Sequence, residues 1–396
     1  FQLYLEDHKD FNLVSPIQDP TVTGSTTQYR FSGLDQGTTY HWRVCGIFGS
    51  NRGNMTDDRA TETGTNNQWT WSPVENAGTG YGTVVAVKTG SDLAAAYLHD
   101  DSVKFSKRTG GSWSEETVLS GTPYQSYFDL AYGSGKYGIA GYADYPGDMW
   151  VAVGTPGNFS SERIHGDGNS ELGHPSSGLN CKITITSSEY VVVHTDFEGG
   201  NTLVQTLPLT GGSWDLETIS NVAMLDTPYC LTTDGSNAYL LTKDIGNNQL
   251  LFGNMNSGWS LGVAIPPSSP AVTFPTDMVR LGGQWVSPVR DATNKRFILV
   301  KGTTVPWSVE ELSSDNVGNN ARMDVESAKA GIVYTAGGEW WFAYSDGGPW
   351  EFSTITLAGT ISGRPDIVFL NGSPYIVFAD SGSGNIKAAK GTPPPL

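Results

Sequence analysis

Gly110-Gly111-Ser112-Trp113-Ser114-Glu115-Glu116-Thr117-Val118 returns later in the chain as Gly211-Gly212-Ser213-Trp214-Asp215-Leu216-Glu217-Thr218-Ile219. Each copy is a glycine turn, an aromatic residue, and a β-branched residue five positions further on. The same spacing recurs at Trp69 with Val74, Phe159 with Ile164, Trp259 with Ala264 between Val263 and Ile265, Trp307 with Leu312 and Trp350 with Ile355. Successive aromatics lie 44, 46, 55, 45, 48 and 43 residues apart. A fixed period of this size marks a repeat architecture, and roughly 40 to 50 residues make one unit of four antiparallel strands.

Upstream of each aromatic runs a short apolar strand that often opens on Tyr and closes on Asp. Leu93 to Asp100, Tyr137 to Asp144, Tyr190 to Asp196, Tyr239 to Asp244, Trp285 to Asp291 and Tyr375 to Asp380 fit this pattern, with Gly331 to Ala336 a degenerate copy. Each repeat therefore reads as strands a, b, c and d, the aromatic opening d. The last repeat supplies a, b and c but meets Pro393 before any d, whereas the first d strand, Gln68 to Val74, has no a, b or c before it. Pairing the two removes both open sheet edges. The chain is predicted to be an all-β, seven-bladed β-propeller over residues 69–391, closed by its N-terminal strand, with 65–68 a linker and 392–396 a Pro-rich tail. The repeat aromatics are expected as wedges between blades. A helix competes only at Ser91 to Tyr97, where Ala94-Ala95-Ala96 has high helix propensity.

Composition agrees. With 49 glycines and 12 tryptophans in 396 residues, 11% aromatic and 16% charged, the chain is neither a helical bundle nor a disordered polymer. A net charge of −17 repels phosphate backbones, so nucleic acid is not an expected partner. No apolar run reaches the roughly 18 residues of a membrane span. Cys45, Cys181 and Cys230 are too few for a disulfide scaffold. Cys181 and Cys230 each sit nine residues before the tyrosine of their strand b, which predicts equivalent positions on adjacent blades and brings a disulfide within geometric reach.

Residues 1–64 follow other rules. Thr39-Tyr40-His41-Trp42-Arg43-Val44-Cys45 alternates as a strand. With Leu34-Asp35-Gln36-Gly37-Thr38 before it, the stretch resembles the fibronectin type III signature. The resemblance implies that Tyr40 ties its hydroxyl back to the upstream turn. Some 64 residues supply only the later strands of such a sandwich, so the segment reads as a partial module able to pair strands with a neighbour. Both ends of the chain read as cut from a longer modular protein, which together with the acidic charge gives an extracellular or cell-surface expectation.

In a propeller the d-to-a and b-to-c connections share the top face. His99 and His194 map to ends of strand b there, and His165 and His174 to the long Ile164 to Gly178 connection. These four with Tyr142 are the acid/base candidates of an enzyme reading. Trp150, Tyr145, Asp144, Asp196 and Asp100 line the same rim as expected ligand contacts, although Asp residues after strand b also suit turns that bond their own backbone. Asp129, Asp277, Asp324 and Asp366 recur early in strand a and should ring the central channel. They either accept N–H groups from the next blade or hold a cation such as Ca2+. No other cofactor is expected.

The two Gly-Gly-Ser-Trp stretches resemble the strand ends of secreted bacterial sialidase-like repeat propellers, a likeness of architecture; the Ser-x-Asp-x-Gly-x-Thr-Trp box of true sialidases does not occur in the chain. The reading favoured by the sequence is a binding or adhesion module recognising carbohydrate or a protein on its top face. Trp71, Trp150, Trp340 and Trp341 are expected to be exposed for stacking on sugars. The alternative is a polysaccharide-active lyase or glycosidase using the top-face His and Asp residues.

Overall fold

The computed structural model describes residues 68–394 apart from 121–123, 144–146, 167–176, 197–200, 220–229, 245–246, 268–271, 274, 314–317 and 319–320; of 2–6, 39–48, 51–55, 59–62, 124–127, 177–179, 196 and 313 it describes the backbone alone. The chain divides into two compact units, Trp69–Thr392 and a smaller one of Phe1–Gln68 with Pro393–Leu396. In the smaller unit Thr39–Phe48 is central, antiparallel to Gln2–Glu6 on one edge and to Asn51–Met55 and Arg59–Glu62 on the other. The Tyr40 side chain, on which the tyrosine-corner expectation rests, lies outside the described residues.

The larger unit is a seven-bladed β-propeller of four-stranded antiparallel sheets. Blade 1 is Tyr81–Thr89, Asp92–His99, Ser102–Thr109 and Ser112–Leu119. Blade 2 is Tyr124–Gly133, Lys136–Ala143, Asp148–Thr155 and Asn158–His165, and blade 3 is Ser177–Ile185, Glu189–Asp196, Asn201–Pro208 and Asp215–Ile219. Blade 4 is Cys230–Thr233, Ala238–Asp244, Gln249–Asn254 and Gly262–Ile265; blade 5 is Val279–Leu281, Gln284–Asp291, Arg296–Gly302 and Ser308–Ser313. Blade 6 is Arg322–Glu326, Lys329–Ala336, Glu339–Ser345 and Glu351–Thr354. Blade 7 takes Ile361–Leu370, Ser373–Asp380 and Asn385–Thr392 from the C-terminal end and its fourth strand, Thr70–Thr79, from the other. Ala389 stands opposite Val74, so the ring closes as the repeat arithmetic requires.

Each of the seven hydrophobic clusters fills one gap between blades, and the repeat aromatic always faces the preceding blade. Trp69 meets Phe342 of blade 6 edge-on at 5.0 Å, and Phe159 meets Phe105 of blade 1 at 5.2 Å. The indole N–H of Trp113 donates to Glu75 at 2.8 Å and that of Trp214 to Glu162 at 2.7 Å, each on the d strand of the blade before it. Ala94-Ala95-Ala96 is strand. Successive side chains in a strand alternate faces, so Ala94 and Ala96 pack toward blade 2 and Ala95 toward blade 7, where small residues let crowded inner strands approach. The Gly110-Gly111 turn has φ of +58° and +91°, a tight hairpin conformation that residues with a Cβ resist. Among the described residues the only helix is the single turn Met255–Ser257, and none is long and apolar enough to cross a membrane.

Cys181 and Cys230 are both buried and are not joined in a disulfide. The expected equivalence fails by one residue. Tyr190 stands opposite Ile185, whereas Tyr239 stands opposite Thr232, so Cys230 is in step with Lys182 and not with Cys181. A one-residue offset turns a side chain to the other face of its sheet. Cys181 accordingly packs against Ala140 and Met149 of blade 2, and Cys230 against Met278 and Val289 of blade 5.

Candidate functional site

Counting back from each a-to-b turn, one ring of equivalent positions surrounds the axis: Val85, Asp129, Lys182, Cys230, Asp277, Arg322 and Asp366. All seven line a central channel of about 340 Å³, with Asp324 two residues deeper. Each of the four acids accepts a strand N–H from the following blade: Asp129 from Ile183 at 3.0 Å, Asp277 from Met323 at 3.0 Å, Asp324 from Phe369 at 2.6 Å and Asp366 from Ala86 at 2.8 Å. The inter-blade hydrogen bond foreseen for them is present in all four. Lys182 lies 3.3 Å from Asp129. Buried Arg322 donates to the Thr276 carbonyl at 3.1 Å; although burial disfavours its charge, Asp366, Asp277 and Asp129 hold it protonated. Burial, with Asp277 adding to it, pushes Asp324 up to about 7 and Asp366 up to about 6. Among the described residues no three His, Cys, Asp or Glu side chains converge as a metal-binding group.

Of the predicted histidines the structure brings two together. His165 ends strand d of blade 2 and His194 lies on strand b of blade 3, their ring centroids 5.0 Å apart at 47°. His194 is fully buried, and burial together with His165 lowers it to about 3, so it is neutral. Gln205 of strand c places its amide nitrogen 3.4 Å from His194 Nε2 and donates to the Ile164 carbonyl at 3.2 Å. His99 stands apart from the pair on blade 1, where its Nδ1 is 3.5 Å from Asp100.

The other expected contacts divide. Asp100 has φ +43° and, with Asp101, forms the b-to-c turn of blade 1, an exposed turn residue. Tyr142 is buried within blade 2. Asp196 pairs with Asn201 in the backbone, but its side chain, like all of Asp144, Tyr145 and His174, lies outside the described residues. Trp71 is only 5% exposed, packed in the gap between blades 6 and 7, so it cannot serve as a stacking platform. Trp150, Trp340 and Trp341 are half-buried. The indole nitrogens of Trp150 and Trp341 are enclosed, and Trp150 packs against the cluster between blades 1 and 2.

Trp340 is the exception among these tryptophans. It walls an open pocket of about 400 Å³ on the top face of blade 6, formed by Gly338, Glu339, Trp340 and the connection from Thr354 to Ile361. The Ile355 N–H donates to the Trp340 carbonyl at 2.8 Å, and Asp380 holds the far side of the connection by accepting the Thr360 N–H at 2.9 Å. Burial of Ile355, Leu357 and Ile361 against the blade 6 and 7 cluster anchors the loop from beneath. Thr356, Thr360 and Glu339 remain exposed around the indole. Sequence reading identified Trp340 but not its neighbours, which lie on two segments with no motif between them.

No family model matches the chain, and no curated protein matches it. Solved propellers resemble it. YCF48 in complex with a D1 peptide gives a TM-score of 0.51 at 12% identity over 82% of this chain and 95% of that one. Trypanosoma rangeli sialidase gives 0.40 at 9% identity over 79% of this chain, which matches 55% of the sialidase. The fucose-specific lectin of Aleuria aurantia gives 0.43 at 11% identity, over 69% of this chain and 98% of the lectin. At such identities the likeness is one of fold, and folds of this kind carry unrelated functions.

Proposed function

We propose that the propeller is a binding module that receives carbohydrate in the blade 6 pocket of its top face. The observation that carries this reading is Trp340, half-buried and rigidly held, as one wall of an open pocket of about 400 Å³. Ligand sites typically enclose roughly 300 to 1,000 Å³ and combine aromatic walls with a few fixed polar groups. An indole face offers a large apolar surface at little entropic cost, suited to the C–H face of a sugar ring. Thr356, Thr360 and the Glu339 carboxylate would take the ring hydroxyls. A concave pocket favours a sugar over a flat protein epitope. The competing enzyme reading needs an acid and a base facing one substrate bond, and the channel carboxylates are already engaged by strand N–H groups. An extracellular or cell-surface setting, and a fibronectin type III-like origin for the N-terminal segment, belong to the same proposal and rest on the sequence.

A glycan array of the full chain, followed by calorimetry on the best ligand, tests it. Trp340→Ala should weaken binding at least tenfold, and Glu339→Gln, at an exposed position, should weaken it by a smaller factor without altering the fold. Glycan binding that survives both substitutions unchanged, or turnover of the bound glycan, would overturn the proposal.

A further inference from the structure

Arg322 is only 5% exposed, yet its guanidinium makes a single hydrogen bond, from Nη1 to the Thr276 carbonyl at 3.1 Å, and no direct ion pair among the described residues. Its Nε has no partner. Buried charges are ordinarily paired and hydrogen-bonded, so a guanidinium this poorly satisfied on the wall of the central channel points to an occupant. We propose that the channel binds a small zwitterion of the α-amino acid class, its carboxylate on Arg322 and its ammonium on the neighbouring acids.

The signs of the open charges select this class. Asp277, Arg322 and Asp366 hold equivalent positions on blades 5, 6 and 7, so the arginine stands between two acids in the ring. Asp277 accepts the N–H groups of Met278 and Met323, both at 3.0 Å, one on each oxygen; Asp366 likewise accepts those of Ile367 at 2.9 Å and Ala86 at 2.8 Å. These bonds fix the carboxylates in place, and each oxygen keeps a second acceptor site. Across the ring, Lys182 is already taken by Asp129. One cation beside two anions is left open. A plain carboxylate would meet both acids and a plain amine would meet Arg322, whereas a molecule carrying both charges side by side finds a partner for each.

Geometry and size agree. Thr276 takes Nη1, which leaves without a partner the Nε and Nη2 edge of the guanidinium, a planar fork that receives two carboxylate oxygens in parallel. The channel holds about 340 Å³, near the lower end of the roughly 300 to 1,000 Å³ usual for ligand sites, which suits a molecule of amino-acid size. This site is separate from the blade 6 pocket and does not rest on the carbohydrate reading.

A thermal-shift screen of the full chain against the common L-amino acids at millimolar concentration, followed by calorimetry on the best of them, tests this, with acetate and methylammonium as single-charge controls. One amino acid per chain should bind, at least tenfold tighter than either control. Arg322→Lys, which keeps the charge but not the paired donors, should weaken it at least tenfold. Where that buried substitution prevents folding, 15N NMR of the unmutated chain carries the test, because the Arg322 Nε–H resonance should shift when the amino acid is added. Binding of no amino acid, which would leave Arg322 to internal water, overturns the proposal. So does acetate binding as tight as that of the zwitterion, or an Arg322 resonance that does not move.

Discussion

Arg108 and Glu75 join the closing strand of the ring to the blade beside it through two parallel hydrogen bonds, Nε to Oε2 and Nη2 to Oε1, each 2.7 Å long. Glu75 lies on the N-terminal strand of blade 7, and Arg108 on strand c of blade 1. Arg108 also donates to Asp92 at 2.9 Å and lies over the Tyr375 ring at 5.9 Å. Burial pushes the Glu75 carboxyl up, but the hydrogen bonds from Arg108 and Trp113 outweigh it and hold the group below the usual carboxylate range. The closing strand is thus pinned to blade 1 by a bidentate ion pair, the strong form of charged hydrogen bond.

Glu75→Ala should therefore lower stability by about 1 to 3 kcal/mol, the range for losing charged hydrogen bonds at a partly screened site. Urea unfolding of Glu75→Ala, Arg108→Met and the double variant measures it. The second substitution should cost less in the background of the first, and strict additivity would refute the clamp.

The channel acids set a pH dependence. Asp324 and Asp366 share the channel with Arg322, Asp277, Asp129 and Lys182, and burial raises them from the usual carboxylate value of 3.8 to about 7 and about 6. The folded chain then keeps protons that the unfolded chain releases, so the stabilisation from these groups is full below about pH 4 and is lost as pH rises through 6 to 7. Asp324→Asn, whose side-chain oxygen can still accept the Phe369 N–H, should raise the melting temperature by a few degrees at pH 8 and change little at pH 4 to 5. An equal difference at both pH values would contradict this.

Two glycines with the same backbone separate conformational from steric cost. Gly90 and Gly363 have φ of +69° and +68°, but a Cβ at Gly90 meets nothing within 4 Å whereas one at Gly363 lies 2.3 Å from the Gly82 backbone of blade 1. Gly90→Ala should cost about 1 kcal/mol, the ordinary penalty for a left-handed alanine. Gly363→Ala should cost clearly more, because neighbouring backbone cannot yield as a side chain can. Equal melting temperatures for the two variants would refute the close approach.

Burial raises both thiols, Cys181 and Cys230. In the native chain at pH 8 neither should react with a thiol-specific reagent, since the thiolate is the reactive form. Unfolding should expose both. A peptide map without reductant that contains a Cys181–Cys230 cross-link would contradict the register described for blades 3 and 4.

Much of this architecture was legible in one dimension. The apolar strand, ending on Asp in six of the seven repeats, anticipated strand b of every blade to within a few residues, and such terminal Asp residues bond the following turn, as Asp291 does with Thr293 and Asn294 and Asp380 with Gly382. Repetition also disclosed the channel acids, because three copies of one residue at one register, with Asp324 two residues further along its strand, imply one structural task. Exposure was not legible. Trp71 and Trp340 are the same residue type on neighbouring blades and touch the same inter-blade cluster, yet one is buried within it and the other, half-buried, also walls a pocket.

The sequence by itself determined the number of blades, the closing strand and which aromatics wedge between blades, because these follow from the period of side chains that must be buried. Tertiary structure alone decided the pairings between blades. Cys181 and Cys230 part company through a single residue of register, and His165 meets His194 because the end of one sheet overlies the next. Such contacts depend on turn length and blade rotation, to which no local pattern of residues responds.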